Sequence, residues 1–326
     1  MAFPSGEAGR CANKMKGMTM LLNNKMTRFF LMALALFVAA PENSSAAVPE
    51  ETKVYQLAPG VYFRKCQTEP EFLGCNQGWV IFKDFVLVID ANFPNQAEEV
   101  VKLIRSQTDK PIKYIFDTHH HGDHADGNMI YKAIGAVPIA SERTKPLFQT
   151  LGLEGFETSK KEKPDEYGEL AYKLPEIYFP RKMVFDDGQM RVELLHFGHA
   201  HTGGDAVAWL PKQGILFTGD CIVNGAFNFT GNSDTASWIN VIEQIKKLPV
   251  KTLAPGHGEL GDMGTIKTQQ RYFVELRKEI AGFIKKGRTL EEIKTEVKLP
   301  WYKKWTGVPI LEREENIVHV YGELTK

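Results

Sequence analysis

The sequence predicts an α/β domain in which helices cover β-sheets, and three observations carry that prediction. Short apolar runs of strand length alternate with amphipathic stretches of helical period along most of the chain. Hydrophobic residues make up 43% of the chain, enough for a buried core, and the 25% of charged residues is too ordinary for wholesale disorder. No internal repeat, low-complexity tract or linker divides the pattern, and 326 residues suit one large domain or two small ones. The 40 basic and 40 acidic side chains cancel, which argues against a nucleic-acid binder. No apolar run reaches roughly 18 residues, so a polytopic membrane protein is excluded.

Taken in order, the first element is Phe29 to Ala40, the only long apolar run. About a dozen residues are too few to span a bilayer as a helix, which needs roughly 20. Lys25 and Arg28 precede the run, and Pro41 and Ser44-Ser45-Ala46-Ala47 follow it. A basic start, an apolar middle and a small-residue exit predict a secretory signal peptide cleaved after Ala47, with an extension upstream of Met26. Residues 48–326 then form the mature domain, periplasmic or secreted, with a helical C-terminal extension from about residue 265. Removing five basic and two acidic side chains from a balanced chain leaves a net charge of −3, too mild to imply electrostatic partners. Export permits a disulfide between Cys66 and Cys75, although spacing alone does not decide whether it forms.

Strands are predicted at Gly78–Phe82, Phe85–Ile89, Lys113–Phe116, Arg191–Phe197, Ala206–Leu210, Ile215–Phe217 and Val250–Leu253. Helices are predicted at Gln96–Ser106, Asn128–Ile134, Trp238–Lys247 and Lys267–Lys285. In the third helix Trp238, Val241, Ile242 and Ile245 share one face. Thr289 with Glu292 reads as a capping box opening another short helix. Arg143–Lys182 is long and charge-rich and reads as a solvated insertion, with a lid as the alternative. Trp301, Tyr302 and Trp305 read as packing aromatics.

The histidines are the main functional signal. Thr118-His119-His120-His121-Gly122-Asp123-His124 packs four imidazoles and a carboxylate into seven residues after a predicted strand. That is a zinc-type donor set in the place where open α/β sheets hold ligands. In an extended segment His119 and His121 face the same way, and His120 faces away, into a supporting position. A turn at Gly122 can aim Asp123 and His124 at a second ion. Three later loops repeat the design after strands: His199-Ala200-His201-Thr202-Gly203-Gly204-Asp205, Thr218-Gly219-Asp220-Cys221 and Pro255-Gly256-His257-Gly258. His199 and His201 compete for one role. His196 and His319 read as ordinary packing histidines.

These motifs resemble the metallo-β-lactamase superfamily over roughly residues 55–260. His119-x-His121-x-Asp123-His124 matches the family's first motif; Asp90 in VLVIDANF, His201-Thr202, Gly219-Asp220 and Pro255-Gly256-His257-Gly258 match the others. The resemblance implies a four-layer αββα sandwich with a dinuclear metal site at one edge of the sheets. It implies His119, His121 and His201 for one ion, Asp123, His124 and His257 for the other, and Asp220 as a bridge. The His-Thr pairing favours His201 over His199. Asp123 would also orient the nucleophile, and His120 and Asp90 would orient the shell.

The implied function is that of a secreted zinc-dependent hydrolase. Its two Zn2+ ions, with iron or manganese as alternatives, would hold a hydroxide that cleaves an acyl ester, thioester, lactone or lactam in a small molecule. Phe227, Phe229 and Asn232 are expected to form a substrate wall. In the commonest lactamase subclass a cysteine stands where Asp220 is and a lysine where Val223 is, so Asp220 favours the thioesterase, lactonase and phosphoesterase branches. Gly231-Asn232, Asp234 and Trp238 instead resemble the lactamase loop, which keeps a β-lactamase proper as an alternative. An iron enzyme of sulfur or oxygen chemistry on the same scaffold is another, and a non-catalytic binding protein a third. Cys221 reads as a packed thiol.

Overall fold

A computed structural model describes residues 53–66, 74–225, 228–302 and 310–326. The expected signal peptide, Phe227 and Trp305 lie outside the described residues. The first sheet contains β1 (Lys53–Ala58), β2 (Val61–Lys65), β3 (Gln77–Ile81), β4 (Val86–Ile89), β5 (Ile112–Phe116), β6 (Val137–Ser141) and β7 (Ile177–Phe179), in that spatial order. Pairing is antiparallel from β1 to β4 and parallel from β4 to β7. The second contains β8 (Lys182–Asp186), β9 (Arg191–Leu195), β10 (Val207–Leu210), β11 (Ile215–Phe217) and β12 (Thr252–Ala254). Its strands are antiparallel until β12, which runs parallel to β11.

The helices are α1 (Pro94–Gln107), α2 (Gly122–Ala125), α3 (Asn128–Ala133), α4 (Lys145–Leu147), α5 (Leu153–Glu162), α6 (Pro164–Tyr167), α7 (Thr235–Ile245), α8 (Met263–Lys285), α9 (Leu290–Glu296) and α10 (Ile310–Thr325). Strand alternation explains the layers. In β4, Leu87 and Ile89 join the core between the sheets, whereas Val86 and Val88 face α1 with Val100 and Ile104. In β10, Ala208 and Leu210 face the other sheet, while Val207 and Trp209 pack with Trp238, Phe273 and Leu276 of α7 and α8. Both faces of each sheet are therefore apolar, and each needs a helical cover. The result is the αββα sandwich.

Capping chemistry sets where the later helices begin. The Asp234 carboxylate accepts from Ser237 N, the Asp262 carboxylate accepts from Gly264 N and Thr265 N, and Thr289 with Glu292 forms the predicted capping box. The helices α7 and α8 accordingly start three and four residues earlier than apolar periodicity alone suggested. At the far end of the chain, Glu323 of α10 accepts from Thr235 N at 2.8 Å, from the Thr235 hydroxyl and from Arg277 of α8. Burial would raise the Glu323 pKa, but bonds from His319 and Thr235 and the Arg277 charge outweigh it and hold it at about 2. A carboxylate depressed in the folded state stabilises above its unfolded pKa and loses that contribution as pH falls from about 4.3 towards 2. We expect Glu323→Gln to lower stability by about 1 kcal/mol at neutral pH. Urea melts at pH 7, 4 and 2.5 should show the gap between variant and wild type closing in acid.

Several sequence expectations are corrected. The strand expected at Val250–Leu253 is shifted to Thr252–Ala254. Five strands, β1, β2, β6, β7 and β8, were not expected at all. Arg143–Lys182 is not a merely solvated insertion. It carries α4, a π-helical turn at Phe148–Gly152, α5, α6 and β7, and it buries Phe148, Phe156 and Tyr167 completely. Phe156, Tyr167 and Tyr172 pack as an aromatic cluster with Met129 of α3, which ties the segment to the rest of the domain. Cys75 is a buried free thiol, so the bridge to Cys66 is not formed.

Candidate metal centre

Parallel strands bring their C-terminal ends to the same edge. From the first sheet, β4 delivers Asp90 and β5 delivers residues 118–124; from the second, β11 delivers Asp220 and β12 delivers His257. The loop after β9 supplies His201. Bonds across the seam hold these loops together. Ala206 N donates to Thr118 O at 2.9 Å, and Asn76 donates from its side chain to Pro255 O and Gly258 O at 3.0 and 2.9 Å. Glycine is required where loops meet. A Cβ on Gly219 would lie 2.3 Å from Thr118 Oγ1, and one on Gly256 would lie 2.3 Å from Asp220 Oδ1.

Three imidazoles form the first cluster. His119 Nε2 and His201 Nε2 lie 3.1 and 3.0 Å from His121 Nδ1. The outer nitrogen of each ring has an acceptor beside it. His119 Nδ1 meets Thr118 Oγ1 at 3.1 Å, His121 Nε2 meets Asn232 Oδ1 at 2.9 Å, and His201 Nδ1 meets Phe229 O at 3.0 Å. With outer N–H groups donating there, all three inner nitrogens present lone pairs to one another. Such a group repels unless a cation sits among the nitrogens. A tetrahedral zinc with Zn–N bonds of about 2.0–2.1 Å separates its ligands by about 3.3 Å, which these spacings fit. Burial also lowers the pKa of all three, His201 to about 3, which keeps the imidazoles neutral as ligands must be.

The second cluster is acidic. Asp123 Oδ2 lies 3.0 Å from His257 Nε2 and 3.4 Å from His124 Nε2. Asp220 lies between the clusters. Its Oδ1 is 3.4 Å from His124 Nε2, and its Oδ2 is 3.4 Å from His257 Nε2 and 3.5 Å from His201 Nε2. His124 Nδ1 is anchored on Asp90 Oδ2 at 3.0 Å, while Asp90 Oδ1 accepts from Thr118 N at 2.8 Å. Asp90 adopts a left-handed backbone, φ 63°, uncommon for a residue with a Cβ. Buried His124 Nε2 and Asp220 Oδ1 have no hydrogen-bond partner among the described residues. Burial disfavours a charged His257, yet Asp220 and Asp123 raise its pKa to about 10. That is a demand for positive charge which a divalent ion would meet in place of the proton. The donor set fits two cations.

The structure thus brings together His119, His121, Asp123, His124, His201, Asp220 and His257. The rival His199 points elsewhere, its Nε2 on Asn232 O at 2.9 Å. His120 touches the shell by packing alone: both its ring nitrogens are buried without a hydrogen bond, and its ring lies 4.7 Å from that of His121 and 6.4 Å from that of Phe148. Asn232, expected in a substrate wall, instead reaches His121. Phe229 is 43% exposed, with its ring 5.9 and 6.0 Å from those of His121 and His201. Cys221 is buried and contributes no donor to either cluster.

Two supporting residues were missed. Thr118 joins His119 to Asp90, and Asp205 holds the His201 loop by accepting from Ala200 N, Thr202 N and the Thr202 hydroxyl at 3.2, 2.8 and 2.6 Å. Threonine or aspartate beside a ligand histidine was the available signal. Because Asn232 fixes the His121 tautomer, Asn232→Ala should weaken metal affinity about 10–100-fold. Competition against a chromogenic chelator measures this, and unchanged affinity would contradict the assignment.

Comparison with known proteins places the family and the fold. A sequence model described as the metallo-beta-lactamase superfamily matches residues 70–257. A metallo-beta-lactamase type 2 of Bacteroides fragilis is 22% identical over 244 residues, covering 72% of this chain and 90% of that protein. One of Bacillus cereus is 26% identical over 188 residues, covering 56% of this chain and 66% of that protein. A solved metallo-beta-lactamase from Pontibacter korlensis superposes with a TM-score of 0.57 at 22% identity, covering 68% of this chain and 99% of that one.

Proposed function

The chain belongs to the metallo-beta-lactamase superfamily, and from that premise we propose that it is a metal-dependent hydrolase of activated acyl bonds in small molecules: esters, thioesters, lactones or lactams. The observation that carries the reading is the pair of inward-facing donor clusters joined by Asp220. Zinc is the ion the donor chemistry favours, with three imidazoles for one ion and a carboxylate with two imidazoles for the other. When bound, the pair supplies a Lewis acid and a hydroxide nucleophile at neutral pH.

The remaining work falls to the protein. Asp123 is 19% exposed, so its carboxylate borders solvent and can accept the nucleophile's proton while orienting attack. Asp90 and Asn232 hold His124 and His121 at fixed tautomers and angles. The exposed Phe229 ring beside His121 and His201 gives an apolar substrate group a surface to lie on. The basic, apolar and small-residue order of the leader supports export to the periplasm or beyond. Among the described residues no helix is long and apolar enough to cross a membrane.

A second reading is lactam hydrolysis, favoured by the names of the curated relatives and by Asn232 beside His121. Asp220 and Val223 weigh against it. A panel of lactam, lactone, thioester and phosphodiester substrates with zinc-loaded enzyme separates the two. Turnover confined to lactams would replace the broader acyl reading, and no turnover of any member would overturn both.

A further inference from the structure

Away from the metal centre, the chain crosses from the first sheet to the second at Pro180-Arg181, between β7 and β8. A cleft of about 680 Å³ opens beside this crossing. Arg181 lines it from the crossing, Glu142 and Arg143 line it from the turn after β6, and His196 lines it from the end of β9. None of the seven proposed metal ligands reaches its wall.

We propose that this cleft is a binding site for a small organic anion carrying carboxylate or phosphate groups. Its wall carries two arginines, Arg143 and Arg181, and neither has an ion pair or a side-chain hydrogen bond among the described residues. Arginine forks suit carboxylate and phosphate oxygens, and unpaired ones at a concave wall keep that capacity available. His196 lines the same cleft, within electrostatic reach of both. Its backbone N donates to Arg181 O at 2.9 Å, and its Nδ1 is fixed on Asp205 O at 2.7 Å. The Nε2 edge of the ring is therefore left for a ligand. Burial and both guanidiniums lower the His196 pKa, so the two charges act on the same ring. Glu142 is the lone carboxylate on the wall, leaving a positive balance. A cleft of this volume lies in the range of small-molecule sites, about 300–1,000 Å³, and an inorganic ion would fill little of it.

Calorimetric titration of the metal-loaded protein with glucose 6-phosphate and with succinate tests the proposal, with glucose as the uncharged control. At least one anion should bind saturably and glucose should not. In the Arg143→Ala, Arg181→Ala double variant Kd should rise by about tenfold or more. Both arginines are exposed, so the variant should melt as the wild type does. Glu142→Gln should change affinity in the opposite direction, tightening succinate roughly twofold, a gain that misfolding would not produce. His121→Ala, which damages the metal centre, should leave anion affinity in place. Failure of both anions to bind, wild-type affinity in the double variant, or loss of binding in His121→Ala would overturn the proposal, the last by assigning the anion to the metal centre.

Discussion

Asp220→Ala is expected to reduce kcat/KM for the best substrate by on the order of 10³, equivalent to about 4 kcal/mol of lost transition-state stabilisation. This carboxylate lies 3.4–3.5 Å from His124, His257 and His201, so among the described carboxylates it alone pairs with imidazoles of both clusters. Its removal leaves Asp123 as the remaining acid facing the second cation, and uncompensated buried charge of this kind costs about 3–5 kcal/mol. Metal analysis should find fewer than two ions per chain in the variant. Asp220→Asn preserves shape without charge and should fail nearly as badly. A variant that keeps two ions and at least a tenth of the wild-type rate would remove Asp220 from the bridging role.

Stripping the metal with a chelator should abolish hydrolysis, and zinc add-back should restore it. The effect should extend to stability. An ion bound only by the folded state at a thousand times its dissociation constant contributes about 4 kcal/mol. Thermal melting of stripped, zinc-loaded and iron-loaded protein reads this directly. Hydrolysis indifferent to metal removal would refute the hydrolase reading, and stoichiometric iron in protein expressed with both metals present would favour the redox alternative.

How much of this was legible beforehand depended on burial. Strands buried on both faces, such as Val86–Ile89, read as unbroken apolar runs. The edge strands β1 and β8 expose polar residues such as Lys53 and Lys182 and gave no such run. The strand β6 was hidden by Pro138, which reads as a strand breaker although the chain continues through it in the sheet. The insertion's aromatics at 148, 156, 167 and 172 were masked by the charges around them. The donors were legible because motif residues sit within a few positions of strand ends. Their supports were legible only in part: Asp90 stood out by its place at a strand end, and Asp205 lay within five residues of the amides it holds, but Asn232 reaches His121 across 111 positions. No local spacing encodes the Asn232 pairing.

The donors come from loops of both sheets, so the same ions that serve chemistry would also rivet the sandwich along its open edge. An enzyme built this way ties its own lifetime to metal supply. Where the metal is scarce the edge would loosen, and the loops around Thr118 and Gly256 would become easier for proteases to enter.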